Sequence, residues 1–187
     1  MTNRNPSLGW TYAITGAALF GINASSTKVL VESGIDPIQV VILRSMANAL
    51  LAGLMLLFTN WQGFRLRLAE LPRLLIFSLI GVAVMQWAYT NAVSLLPVGT
   101  ALLFEYTAVL FVPLVGALFF GERHSRQLWV GVFCVLAGLA VISGFSNVAP
   151  NAAGIAFAML ASTTLTLYFI LGNRLQRSRD SMSLLFY

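Results

Sequence analysis

An all-α membrane bundle of six spanning helices is the fold this sequence predicts, on three observations. Hydrophobic residues make up 58% of the 187 residues and charged ones only 9%. A water-soluble domain carries about 25% charge, so this chain has too little polar surface to face water. The apolar residues form six runs, each near the roughly 20 residues a helix needs to cross a bilayer. Nine of the eleven lysines and arginines fall in alternate connecting segments and helix ends.

The first run, Trp10–Val31, is longer than the apolar core of a signal peptide and reads as a span. Ser33-Gly34-Ile35-Asp36-Pro37 ends it and starts the second, Ile38–Phe58. The third is Leu71–Val93. Pro97 and Gly99 separate it from the fourth, Val98–Phe120. Pro113 lies inside the fourth; lacking an N–H, it predicts a kink at Val109. The fifth, Gln127–Phe145, carries Gly131, Cys134 and Gly138 on one small-residue stripe. Such a stripe is expected to pack helices closely, within the chain or between copies. Asn147–Asn151, with Pro150, leads to the sixth, Ala152–Asn173. The runs are long and lack strict alternation, so helices fit better than barrel strands.

Basic residues stay cytoplasmic. Arg4, Arg65, Arg67, Arg73, Arg123, Arg126, Arg174, Arg177 and Arg179 therefore place the N-terminus inside, and 33–36, 95–97 and 146–151 outside. This pattern explains the formal charge of +5 without nucleic acid, for which no basic face interleaved with aromatics exists. Trp10, Trp61 and Trp129 near the run ends read as interfacial anchors. A lone cysteine excludes an internal disulfide and a cysteine-rich metal site. His124 reads as a solvated loop residue. No Walker loop, dinucleotide fingerprint or H-E-x-x-H occurs, so neither an enzyme nor a cofactor is expected.

Ionisable groups inside a bilayer are costly and mark function by default. Three occur here: Lys28, Arg44 and Glu105. At about 1.5 Å per residue, Arg44 lies roughly 10 Å and Glu105 roughly 12 Å below the outer boundary. Lys28 reads as snorkelling to the outer headgroups. Glu105 and Arg44 suit the polar ends of a solute, the arginine as a fork for a carboxylate. A static ion pair fixing helix packing is the competing reading. Asn23, Ser26 and Thr27 share a helix face, as do Arg44 and Asn48, then Gln86, Tyr89 and Thr90, then Ser162, Thr163 and Thr166. Together they outline a wet path, or else interhelical hydrogen bonds. Trp87 beside Gln86 reads first as packing.

Several segments in order resemble the EamA family of the drug/metabolite transporter superfamily. They are Phe20-Gly21-Ile22-Asn23 with Lys28; Asp36-Pro37 with Leu43-Arg44; and Asn91-Ala92 with Leu96-Pro97-Val98-Gly99-Thr100-Ala101. Pro113 with Phe120-Gly121-Glu122-Arg123, and Gly131 with Gly138-Leu139-Ala140, complete the set. The resemblance implies ten helices in two five-helix repeats of opposite orientation, exporting metabolites. Leu103-Phe104-Glu105-Tyr106-Thr107 resembles a variant in that family's amino-acid exporters. Residues 1–146 would be the first repeat, and 152–187 the sixth helix and the start of the second. Gly9, Ala13 and Lys28-Val29-Leu30 recur at an offset of 145 as Gly154, Ala158 and Asn173-Arg174-Leu175. The apolar run starting at Ser181 would open a seventh helix cut short.

The expected function is export of small metabolites, amino acids or similar amphipathic solutes, across the plasma or inner membrane by alternating access. Glu105, Arg44, Gln86, Tyr89 and Asn23 are the expected cavity residues; Gly131, Gly138 and Pro113 are the expected packing residues. The expected partners are the solute, the bilayer and a second copy or second repeat. The alternative is a non-transporting membrane subunit, or an inactive fragment needing a partner.

Overall fold

The computed structural model describes residues 6–59, 70–122, 124–144, 151–176 and 181–186. Trp61, Arg4, Arg65, Arg67, Arg123, Arg177 and Arg179 lie outside them, as does the side chain of Trp10. The described residues are helical, without strands: α1 (Pro6–Glu32), α2 (Pro37–Thr59), α3 (Leu71–Leu95), α4 (Val98–Phe120), α5 (Arg126–Gly144), α6 (Ala152–Leu175) and α7 (Ser181–Phe186). Six of them are long and apolar enough to cross a membrane.

The boundaries follow local chemistry. Gly34 takes the left-handed conformation, φ 92°, and ends α1. Asp36 Oδ1 accepts from the Ile38 amide at 2.8 Å, satisfying one of the orphan donors that opens α2. Leu96, held extended by the proline after it, separates α3 from α4. Gly121, also left-handed, closes α4, and the Glu122 amide returns to the Gly116 carbonyl. Asn151 caps α6 by accepting from the Ala153 amide.

α6 is the centre of the bundle and packs along α3 and both parts of α4. Small residues make this possible. Ala88, Ala92, Ala101, Ala158 and Ala161 are fully buried in one cluster with Tyr89, Val93 and Leu96. A Cβ on Gly154 would stand 2.6 Å from Leu96 Cγ. At the other end Arg174 of α6 lies 4.2 Å from the Phe120 ring centroid of α4. α1 and α5 are peripheral: α5 packs on the first part of α4 and buries only Val132 among its described residues. Large apolar side chains such as Leu43, Phe58, Phe119 and Phe133 are uncovered, which suits lipid and not water.

Two helices depart from regular winding. Phe77–Val84 of α3 is a π-helix, a form concentrated at functional sites. α4 breaks at Tyr106–Thr107, not at the Val109 position that Pro113 predicts. Thr107 explains the shift, because its hydroxyl takes the Phe104 carbonyl at 2.6 Å in competition with the helix ladder. Pro113 itself is buried within Ala108–Phe120, which continues through it.

A Cβ on Gly131 or Gly138 of the fifth-helix stripe would meet nothing within 4 Å, so these glycines touch no described part of the chain, and of the two expected uses contact with another copy stays open. The close contact of α5 is made elsewhere, where a Cβ on Gly99 would stand 2.9 Å from Ile142 Cγ2. His124 is likewise not a free loop residue. It folds over Gly116 with 17% of its side chain exposed, 3.8 Å from Glu122 Oε2.

Candidate functional site

Three of the ionisable or phenolic candidates converge where α2, α3 and α4 meet. Arg44 is within electrostatic reach of Tyr89 and Glu105, and Glu105 of both tyrosines, Tyr89 and Tyr106. Arg44 and Glu105 do not form the direct ion pair that was the competing reading. Among the described residues the two ion pairs are Lys28–Glu32 and Glu122–His124. Arg44 Nη1 instead donates to Thr27 Oγ1 at 3.2 Å, and Thr27 Oγ1 donates to the Asn23 carbonyl.

Glu105 and Tyr89 are each 4% exposed, and Glu105 Oε2 and the Tyr89 hydroxyl oxygen have no hydrogen-bond partner. Leaving buried polar atoms unpaired costs on the order of 1–3 kcal/mol each, more for a charge. Two such atoms at one level of the bundle make this cluster the candidate site. Glu105 is the last residue before the break in α4, so the unwound turn stands directly against this cluster.

A partly open cleft of about 700 Å³ lies below the cluster, in the half of the bundle away from the 33–36 loop. Gln86 lines it, one turn from Tyr89; Asn48 lines it, one turn from Arg44. Tyr168 of α6 and Phe186 of α7 close its sides. The Phe77 and Tyr168 rings stack at 5.1 Å, brought together by the π segment and by Gly81, whose Cβ would stand 3.4 Å from Tyr168 Cα.

Other candidates are engaged elsewhere. Lys28 does not snorkel: its Nζ donates to the carbonyls of Val93 (2.7 Å) and Leu96 (3.2 Å). Thr90, Thr163 and Thr166 return their hydroxyls to the carbonyl four residues earlier, so they line no path. Asn23 is half-buried and contributes its carbonyl to Thr27. Trp87 packs edge-on against Phe157, the packing reading. Tyr106 is the residue that spacing missed. On a helix it points about 100° away from Glu105, yet as its neighbour at the break it stands within electrostatic reach of the carboxyl.

The comparisons with known proteins agree with this architecture. The chain matches the EamA-like transporter family over residues 7–144. It is 26% identical over 176 residues to a protein of Archaeoglobus fulgidus named as an uncharacterized transporter. That alignment covers 94% of this chain and 61% of the relative, so the chain spans about three fifths of its length. No solved structure matches the chain. With six membrane-crossing helices and a family match over most of its length, the chain is a multi-pass membrane protein and belongs to the EamA-like transporter family.

Proposed function

We propose that the chain carries small metabolites across the cell membrane by alternating access and catalyses no reaction. One observation carries this reading: Glu105 Oε2 and the Tyr89 hydroxyl are buried without hydrogen-bond partners, with Tyr89 one helical turn from Gln86 in the lining of an open cleft. Such a layout suits a carrier open to one side. Arg44 and Glu105 meet the polar end of the solute, and Gln86 and Tyr89 guide it between cleft and cluster. Asn23 supports Arg44 through Thr27. Basic residues at the cleft end make that end cytoplasmic, so the cleft faces inward and the N-terminus is inside. Export is the direction and amino-acid-like solutes the first class to test, following the family resemblance.

The test is solute flux in proteoliposomes. Vesicles containing the chain are loaded with labelled amino acids, amines and nucleobases, and release is compared with empty vesicles. Saturable release of any class supports the reading; no release of any class overturns it for this chain. A second reading is a non-transporting subunit, or an inactive fragment, that needs a partner. It predicts no flux and a stable partner on co-purification from membranes.

A further inference from the structure

The cleft beneath the charged cluster has its own chemistry. Among the described residues that line it, none is charged. Four carboxamides reach it from three helices: Asn48 of α2, Gln86 of α3, and Asn173 and Gln176 of α6. Each carboxamide offers donors and an acceptor. None of the four side chains hydrogen-bonds to another described group, whereas most hydroxyls in the bundle are tied to their own helix. Beside them stands the Phe77–Tyr168 stack. The cleft volume, about 700 Å³, lies in the range of small-molecule sites.

This set selects among solutes. A charged group entering the cleft would shed water where no opposite charge replaces it, which is costly. Arg44 and Glu105 are not among the lining residues and are within reach of each other. A plain hydrocarbon would leave four carboxamides unanswered. Carboxamides are the side chains whose paired donor and acceptor match the edge of a base such as adenine, and unstacked bases are taken up on aromatic rings.

We propose that this cleft recognises an uncharged planar heteroaromatic ring of nucleobase type through its hydrogen-bonding edge. The inference rests on the transport reading of the same cleft and names its solute class. It departs from the amino-acid expectation, because a zwitterion finds no counter-charge among the carboxamides.

The experiment is equilibrium binding to the purified 187-residue chain in detergent, with labelled adenine as the probe. Competitors are cytosine, indole, glucose, leucine and glutamate. Adenine should bind saturably, and cytosine should compete. Indole, which has the ring without the paired edge, and glucose, which has hydrogen-bonding groups without an aromatic face, should each compete roughly tenfold or more worse. Gln86→Leu and Asn173→Leu should each weaken adenine binding by about tenfold. Equal competition by indole or glucose overturns the proposal without relying on any variant. So does saturable binding of leucine or glutamate without adenine, an outcome that leaves the transport reading standing. Adenine binding with no flux of any solute keeps the cleft assignment and removes the transport reading. No saturable binding of any of these probes overturns the assignment.

Discussion

Replacing Lys28 with methionine tests how the 33–36 end of the bundle is held shut. The need for Lys28 begins at Pro97. A helical carbonyl at Val93 would accept from the amide four residues on, but residue 97 is proline and has no N–H. Lys28 Nζ fills that place at 2.7 Å and also bonds the Leu96 carbonyl at 3.2 Å. Its positive charge stands at the C-terminal, negative end of the α3 dipole. A hydrogen bond to a charged group is worth about 1.5–3 kcal/mol, but side-chain bonds measured within membranes average only about 0.6. The side chain is 22% exposed, so water competes for it. The expected loss for Lys28→Met is therefore about 1–3 kcal/mol. Glu32, 3.5 Å from Lys28 and 63% exposed, adds little, and Glu32→Gln should change stability by less than about 0.5 kcal/mol. Unfolding by denaturing detergent, followed by circular dichroism, measures both. A loss below about 0.5 kcal/mol for Lys28→Met, or equal losses for the two variants, refutes the capping account.

Three further outcomes follow from the packing and the cluster. Glu105→Gln keeps the shape and removes a buried carboxyl whose Oε2 has no hydrogen-bond partner, so melting temperature should hold or rise while proteoliposome flux falls at least about tenfold; unchanged flux removes Glu105 from the mechanism. Gly154→Val puts a Cβ 2.6 Å from Leu96 Cγ and 3.0 Å from Leu95 Cβ, which should cost about 1–3 kcal/mol of overpacking on the same detergent titration. A neutral result there means that α6 does not cross α3 this closely. Gly138→Ala adds a Cβ in open space and should leave the stability of the chain unchanged or raise it by up to about 1 kcal/mol through helix propensity; a loss would show that the stripe is covered.

The spans were legible because bilayer thickness and hydrogen-bond satisfaction leave few choices. The expected Val98–Phe120 run returns with identical bounds, and the other five differ by only a few residues at each end, apart from the longer start of α1. Arg44 and Glu105 stood out as candidates because ionisable groups are scarce in lipid and these two match in depth, and Tyr89 because it shares a helix face with Gln86. What spacing could not supply was pairing between helices. Nothing in residues 93–97 alone says that Lys28 reaches them across 65 positions. The stripe of Gly131 and Gly138 permits close approach, but within the chain the close approaches occur at Gly99 and at Gly154, which heads a buried small-residue stripe with Ala158 and Ala161 on α6. The π segment in α3 was not legible either, since Phe77–Val84 contains no proline and its only glycine, Gly81, is read more simply as packing.

The break in α4 joins these observations. In hydrocarbon an unwound turn survives only where protein covers it. Glu105 and Ala108, flanking the break, are buried, and Ser162 of α6 meets Thr107 at 2.8 Å. The turn is therefore interior and its distortion is held in place by α6, the helix at the centre of the bundle. The two parts of α4 keep different company: Val98–Glu105 packs on both α5 and α6, while the main partner of Ala108–Phe120 is α6. A rigid α4 would tie the carboxyl to a fixed place in the core. The broken one ends its first part at the carboxyl, within electrostatic reach of Arg44 and Tyr89.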